Sequence, residues 1–217
     1  MRHFIDKERN LEWVSGDRLL ETPQNEVVFN AKDCYNMKDF KDEMNEWKSD
    51  NISDFITSQN LGDFLFGLSL PEERYFAFEN GKFVTCALFC GKEDIHKKIQ
   101  MIEYLERCKE RDFYGINGYM SRQKVKKALE NNLGYNNSRL EYLVVNPKAQ
   151  GNGVGTNSVK SMLENLDFFA GDFKHNTVET LVHEENIASN KVMQKNGFEL
   201  LYRGAGSADF NDYFYVM

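Results

Sequence analysis

The chain has 217 residues, of which 41% are hydrophobic and 13% aromatic, with a formal charge of −7 at neutral pH. That supplies the core of one domain with elaborations, and the acidic balance argues against a nucleic-acid partner. No stretch is long and apolar enough to span a bilayer, and Met1-Arg2-His3-Phe4-Ile5-Asp6 lacks a secretory apolar core, so a cytoplasmic protein away from membranes is expected.

Residues 1 to about 25 are polar and without strong periodicity, and they are expected to form an added N-terminal arm ahead of one domain over 26–217. Val27-Val28-Phe29 reads as a short first strand. Met37, Phe40, Met44 and Trp47, then Ile52, Phe55 and Ile56, predict helix across 36–66. Arg74–Phe78 and Lys82–Phe89 flank Glu79-Asn80-Gly81, which predicts a hairpin on an Asn-Gly turn. Ile95, Ile99, Ile102 and Leu105, and then Val125, Ala128, Leu129 and Leu133, recur at helical spacing, with a break at Gly115-Ile116-Asn117-Gly118. Thr177–Val182 alternates as a strand, and Asp212–Met217 reads as a closing strand.

Four cysteines (Cys34, Cys86, Cys90, Cys108) show no C-x-x-C spacing, and the four histidines (His3, His96, His175, His183) are scattered, so no metal site is expected. Cys86 and Cys90 are read as packing residues, and a reducing compartment is the default.

The most informative stretch is Asn146-Pro147-Lys148-Ala149-Gln150-Gly151-Asn152-Gly153-Val154-Gly155-Thr156. The apolar run Leu140–Val145 before it reads as a buried strand. Val159, Met162, Leu163, Leu166 and Phe169 after it read as one face of a helix. Strand, glycine loop and helix start together build an anion site. Glycines let successive N–H groups point into one concavity, and the positive end of the helix dipole faces the same way. A phosphate or diphosphate is the natural guest. A P-loop is excluded because no lysine follows Gly155, and the dinucleotide fingerprint is excluded because the spacing is G-x-G-x-G.

What fits is Gln150-x-x-Gly153-x-Gly155, which resembles the diphosphate loop of the GNAT (GCN5-related) N-acetyltransferases. A second segment, Asn186-Ile187-Ala188-Ser189-Asn190-Lys191-Val192-Met193-Gln194-Lys195-Asn196-Gly197-Phe198, is similar to that family's second cofactor segment, and closest to its ribosomal-protein acetyltransferase branch. Asn186 and Gly197 also suit helix capping. The resemblance implies an α/β fold with a mixed, mostly antiparallel central sheet flanked by helices. It makes 91–138 a helical insertion between the third and fourth strands, which either caps the acceptor pocket, forms a homodimer contact or simply packs.

The resemblance further implies acetyl-CoA as co-substrate. It would be held by main-chain groups of Leu143, Val144 and Val145, by Gln150, Gly151, Asn152, Gly153, Val154, Gly155 and Thr156, and by Asn186 and Ser189. The acceptor implied is a primary amine of a small molecule or peptide. Alternation places Arg139, Glu141, Leu143 and Val145 on one strand face. Glu141 is the candidate proton acceptor, and the N–H of Leu143 the candidate donor to the thioester carbonyl; a salt bridge to Arg139 or to a neighbouring strand is the competing role for Glu141. The usual acid is a tyrosine on the last helix, and the matching position here is Met193, whose thioether has no proton to donate. Tyr202, Tyr213 and Tyr215 remain as substitutes, each expected to pack with its hydroxyl in water; His183 and Glu184 are weaker candidates. Residues 31–63 hold eight acids against four lysines, which suits either a cationic acceptor or a solvated helix face. Acyl-CoA binding without turnover, and a protein-interaction role for 91–138, are the rival readings.

Overall fold

A computed structural model describes residues 3–15, 26–30, 33–36, 74–92, 102, 103, 106, 122–127, 130, 136–170, 175–203 and 210–217. Ten strands lie among the described residues: β1 (His3–Asp6), β2 (Leu11–Ser15), β3 (Glu26–Asn30), β4 (Asp33–Asn36), β5 (Arg74–Glu79), β6 (Lys82–Lys92), β7 (Asn136–Val145), β8 (His175–His183), β9 (Glu199–Arg203) and β10 (Phe210–Val216). Three α-helices accompany them among the described elements: α1 (Val154–Glu164), α2 (Leu166–Ala170) and α3 (Ile187–Lys195). Eight strands form a mixed sheet in the order β1-β2-β5-β6-β7-β8-β10-β9, and β3 and β4 pair separately. The chain divides into two compact units, Met1–Phe89 with Tyr142–Phe168, and Cys90–Glu141 with Phe169–Met217.

The first unit is built on hairpins. Asn80 (φ 52°) and Gly81 (φ 74°) both adopt left-handed backbone, as a two-residue turn between twisted strands requires. β5 and β6 pair antiparallel across it, with an irregularity between Ala77 and Phe78. Residues 74–78 are all buried, and the Phe78 and Phe83 rings meet at 5.6 Å.

The arm expected over residues 1–25 is, where described, part of the sheet. β1 pairs with β2 and β2 with β5, and Leu11, Trp13 and Val14 are core residues. The strands are short and carry polar neighbours, so their alternation is too brief to register as a pattern; only pairing, of β2 with β5 and of β1 with β2, makes them strands. The strand expected at Val27–Phe29 exists but pairs with β4, outside the main sheet.

Within the same unit, α1 buries Val154, Ser158, Val159, Ser161 and Met162. Ser161 is buried for a reason, because its Oγ accepts from the Trp13 indole N–H at 3.1 Å. Asp6 and Arg9 extend this network: the Arg9 guanidinium donates to Asp6 at 2.6 Å and also to Glu164. Burial pushes the Asp6 carboxyl up, but hydrogen bonds from Ser161 and Arg9 with the Arg9 charge outweigh it and hold the group below its ordinary value. The helix predicted through Phe169 stops at Asn165, whose amide donates to the Ser161 carbonyl and whose φ of −131° leaves the helical range; α2 then starts afresh.

In the second unit, β7 and β8 run parallel from Asn136↔His175 to Arg139↔Glu179. β10 pairs antiparallel with β8 and with β9. Cross-strand partners share a face. Arg139, Glu179, Phe214 and Glu199 therefore lie on one side, as does Asp212 opposite Leu181. Helical residues 122–127 cover that side: Lys124 pairs with Glu199, and Val125 and Arg122 are buried. α3 covers the other side, over Asn211 and Tyr213.

The interval read as an insertion falls between β6 and β7, which are the fourth and fifth strands of the main sheet in chain order, because the N-terminal hairpin adds two strands and β3 lies outside that sheet. Residues 102, 103, 106, 122–127 and 130 are helical, as the spacing predicts. The break at Gly115–Gly118 lies outside the described residues, as do the side chain of Tyr202, most of the acids of 31–63 and the helices predicted over 36–66, except that Asn36 ends strand β4.

Candidate active site

The glycine loop lies wholly in the first unit, and its anchor is Asn146. The Asn146 N–H donates to the Val84 carbonyl at 2.8 Å and its carboxamide donates to the Phe83 carbonyl at 3.0 Å. Its Oδ1 accepts from the Lys148 N–H at 3.0 Å, which starts the 3-10 turn Pro147–Ala149. Thr85 Oγ1 donates to the Val144 carbonyl at 2.6 Å, fastening the end of β7 to β6. Sequence reasoning assigned Asn146 no role; its signal was the Asn-Pro pair that opens a turn.

Gln150 is exposed, and its side chain folds back to donate to the Val145 carbonyl at 3.2 Å. Gly151 (φ +80°) and Gly153 (φ +82°) are both left-handed, and a Cβ on either meets nothing within 4 Å. The demand for glycine here is conformational rather than steric. Gly155, predicted to share in the turning, is instead part of the first turn of α1, with no positive φ.

Gly153 is the N-cap of α1 and provides no side-chain cap; no acid occupies the first turn. The first helical bond runs from the Asn157 N–H to the Gly153 carbonyl at 2.9 Å. The N–H groups of Val154 and Gly155 thus precede the helical ladder, and the side chain of Val154 is buried beneath them. An exposed loop with two left-handed glycines leads into an eleven-residue helix whose positive end is uncapped. That chemistry accepts an anion.

On β7 the burial pattern obeys the predicted alternation. Ser138, Leu140, Val144 and Asn146 are buried, while Arg139, Leu143 and Val145 are half-buried and Glu141 is exposed. The β7–β8 ladder ends at Arg139↔Glu179, and Thr180 Oγ1 donates to the Leu140 carbonyl at 2.8 Å. Among the described residues Glu141 makes no ion pair, so the salt bridge to Arg139 does not form.

The second segment belongs to the other unit. Asn186 caps α3, with Oδ1 accepting from the Ser189 N–H at 3.1 Å, and Ser189 is half-buried. Gly197 (φ +80°) follows the Asn196 C-cap, as expected for a left-handed terminator. The hub of this unit is Asn190. Its Nδ2 donates to the carbonyls of His183, Asn186 and Glu184, and its Oδ1 accepts from Asn211 at 2.8 Å and from the Tyr213 hydroxyl at 2.9 Å. The Tyr213 hydroxyl, expected in water, is therefore buried and committed. Met193 is also buried, at 2% exposure. His183 lies edge-on to Phe210 at 5.3 Å.

Asp212 sits on the opposite face, under residues 122–127. Burial, then the Glu179 carboxylate, push its carboxyl up to about 8, against the pull of Arg139 and Arg122. The folded state therefore keeps a proton that the unfolded chain, titrating near 3.8, releases. Between those values stability falls as pH rises. Denaturant midpoints measured at about pH 5 and about pH 8 are expected to show this decline, and Asp212→Asn to flatten it. An unchanged slope in the variant removes Asp212 as the cause. Burial also raises the Cys86 thiol, which leaves it inert.

Residues 92–199 match the family model of an acetyltransferase (GNAT) domain. No protein of curated function matches the sequence. Among solved structures, the chain is similar to an acetyltransferase of the GNAT family from Bacillus anthracis, at 13% identity and a TM-score of 0.49 over 100% of this chain and 98% of that one. It is also similar to the Campylobacter jejuni N-acetyltransferase PseH, at 13% identity and a TM-score of 0.45 over 96% and 99% of the two chains. PH1933 from Pyrococcus horikoshii is a further relative in shape, at 16% identity and a TM-score of 0.40; 68% of this chain covers 66% of it. No described helix is long and apolar enough to cross a membrane.

Proposed function

We propose that this chain, which carries a GNAT acetyltransferase domain, transfers acetyl from acetyl-CoA to a primary amine by direct attack on the thioester. The observation that carries the reading is the uncapped, glycine-led start of α1, with the N–H groups of Val154 and Gly155 ahead of the helical ladder. The diphosphate of the co-substrate lies against Gly151–Thr156, where N–H groups and the helix dipole meet its charge. Leu143, Val144 and Val145, on β7 past the end of its ladder with β8, offer main-chain groups to the rest of the molecule. Asn186 and Ser189, in the other unit, are a separate assignment that rests on the family resemblance.

Chemically, the amine must lose a proton before or during attack, since a free lysine-type amine has a pKa of about 10.4. Glu141, exposed and without an ion pair among the described residues, takes that proton directly or through water. The Leu143 N–H stabilises the tetrahedral oxyanion, a contribution of about 3 kcal/mol for one well-placed donor. The thiol leaves as thiolate, with a pKa of about 8.5, so no strong acid is needed. The acid excess over 31–63 favours a cationic acceptor such as a small polyamine or a basic peptide end.

Glu141→Gln is expected to lower kcat by about a hundredfold or more with coenzyme A affinity unchanged. An unaltered kcat would remove Glu141 from the chemistry. The overall reading is tested by titrating coenzyme A in a calorimeter and then following thiol release from acetyl-CoA with a panel of amines. No heat of binding refutes it.

A second reading, acyl-CoA binding without turnover, is favoured by one arrangement. Met193 is buried where the resemblance puts the acid tyrosine, and the nearby Tyr213 hydroxyl is held by Asn190. Binding without thiol release across the panel selects it.

A further inference from the structure

The sequence contains four Asn-Gly pairs: Asn80-Gly81, Asn117-Gly118, Asn152-Gly153 and Asn196-Gly197. Asn-Gly is the pair most prone to cyclise, because glycine leaves the attacking backbone nitrogen unshielded. Three of the four pairs lie within the described residues, and they differ sharply in restraint. At Asn196-Gly197 the carboxamide donates to the Val192 carbonyl at 3.0 Å, and the Gly197 N–H to the Gln194 carbonyl at 3.1 Å. At Asn80-Gly81 the carboxamide accepts from Asn10 at 3.0 Å, and Gly81 is buried. At Asn152-Gly153 both residues are exposed, and neither the carboxamide nor the Gly153 N–H has a hydrogen-bond partner among the described residues. A Cβ at Gly153 would meet nothing within 4 Å, so the approach is open.

We propose that Asn152-Gly153 is a spontaneous deamidation site within the anion-binding loop, where conversion adds a carboxylate that lowers affinity for a phosphate-bearing ligand. The Gly153 amide nitrogen gives its proton to solvent base and attacks Cγ of Asn152. A C–N bond forms, the carboxamide C–N bond breaks, and ammonia departs with the proton it needs. Water then opens the cyclic imide at either carbonyl, leaving aspartate or isoaspartate at 152. No oxidant or reductant is involved. The new charge stands one residue before the N-cap of α1, where it suits the helix dipole but occupies the field that would hold a phosphate. A ligand phosphate engaging the Gly153 N–H would withhold the nucleophile, so occupancy protects the loop; this protection rests on the proposed function above.

The test incubates the full chain at mildly alkaline pH with and without saturating coenzyme A, and follows peptides by mass and by isoaspartate detection. Conversion at 152 is expected to exceed that at 80 and 196 several-fold, and to slow when coenzyme A is present. Conversion at 152 no faster than at 196 overturns the proposal. If coenzyme A binds by calorimetry yet leaves the rate at 152 unchanged, the protection is overturned. If coenzyme A does not bind and 152 still converts fastest, the modification stands and the acetyl-CoA reading fails. Asn152→Asp, a mimic of one product, is expected to weaken coenzyme A about tenfold or more while the unliganded melting temperature holds or rises. Unchanged affinity there overturns the inhibitory consequence. Asn152→Gln, which would need a larger ring to cyclise, is expected to stop the mass increase at this site.

Discussion

Gly153→Glu is expected to reduce coenzyme A affinity by about a hundredfold or more without unfolding the protein. Three properties of the position set that magnitude. Its φ of +82° costs any L-residue about 1–2 kcal/mol. Its Cβ would project into open space, so no neighbour is displaced and the fold tolerates the side chain. Its carboxylate would stand at the positive end of α1, among the N–H groups that precede the helical ladder, and would compete with a diphosphate for them. Gly153→Ala separates strain from charge: a stability loss of about 1 kcal/mol is expected, with affinity changed less than about tenfold. Calorimetric titration of both variants, alongside their circular dichroism, makes the comparison. A folded Gly153→Glu protein that binds coenzyme A normally would falsify the assignment of this loop.

The largest loss of stability is expected from Asn190→Ala, at about 3 kcal/mol or more. The carboxamide satisfies groups on three elements: carbonyls at the end of β8 and the start of α3, and the side chains of Asn211 and Tyr213 on β10. Truncation leaves the Tyr213 hydroxyl and the Asn211 amide buried without their acceptor, and each orphan bears its full desolvation cost. For a chain of this size that corresponds to a fall of roughly 6–12 °C in melting temperature. Tyr213→Phe removes one donor and leaves the Asn211 bond in place, so a smaller loss of about 1 kcal/mol is expected. Equal effects from the two variants would mean that Asn190 is not the hub. Because Asn190 also bonds the Asn186 carbonyl, the cap of α3 is expected to loosen with it.

Much of the fold was legible where a local rule was strong. The Asn80-Gly81 turn appeared as read, since two left-handed residues are needed there and the pair tolerates them. α3 appeared between Asn186 and Gly197, whose capping roles are set within one turn of chain. The glycine loop stood between strand and helix as its flanks indicated. The alternation that sets Glu141, Leu143 and Val145 on the face opposite buried Leu140 and Val144 was likewise visible. The N-terminal hairpin was not, because β1 and β2 are four and five residues long and gain their identity from pairing, β2 with β5 and β1 with β2. Tyr213 was misjudged because the partner of its hydroxyl, Asn190, is twenty-three residues away.

Residue order was sufficient to place a glycine loop between a strand and a helix, to cap α3 and to put Arg139, Glu141, Leu143 and Val145 on one face of β7. Each of those depends on a few neighbouring dihedrals and on period. Three-dimensional packing alone chose which glycines of the 151–155 loop turn left-handed, fastened that loop through Asn146 to β6, and set the half-buried Asp212 among Glu179, Arg139 and Arg122. The difference is one of range. Backbone conformational preference acts between adjacent residues, whereas burial and hydrogen-bond satisfaction act between segments that only the folded chain brings together.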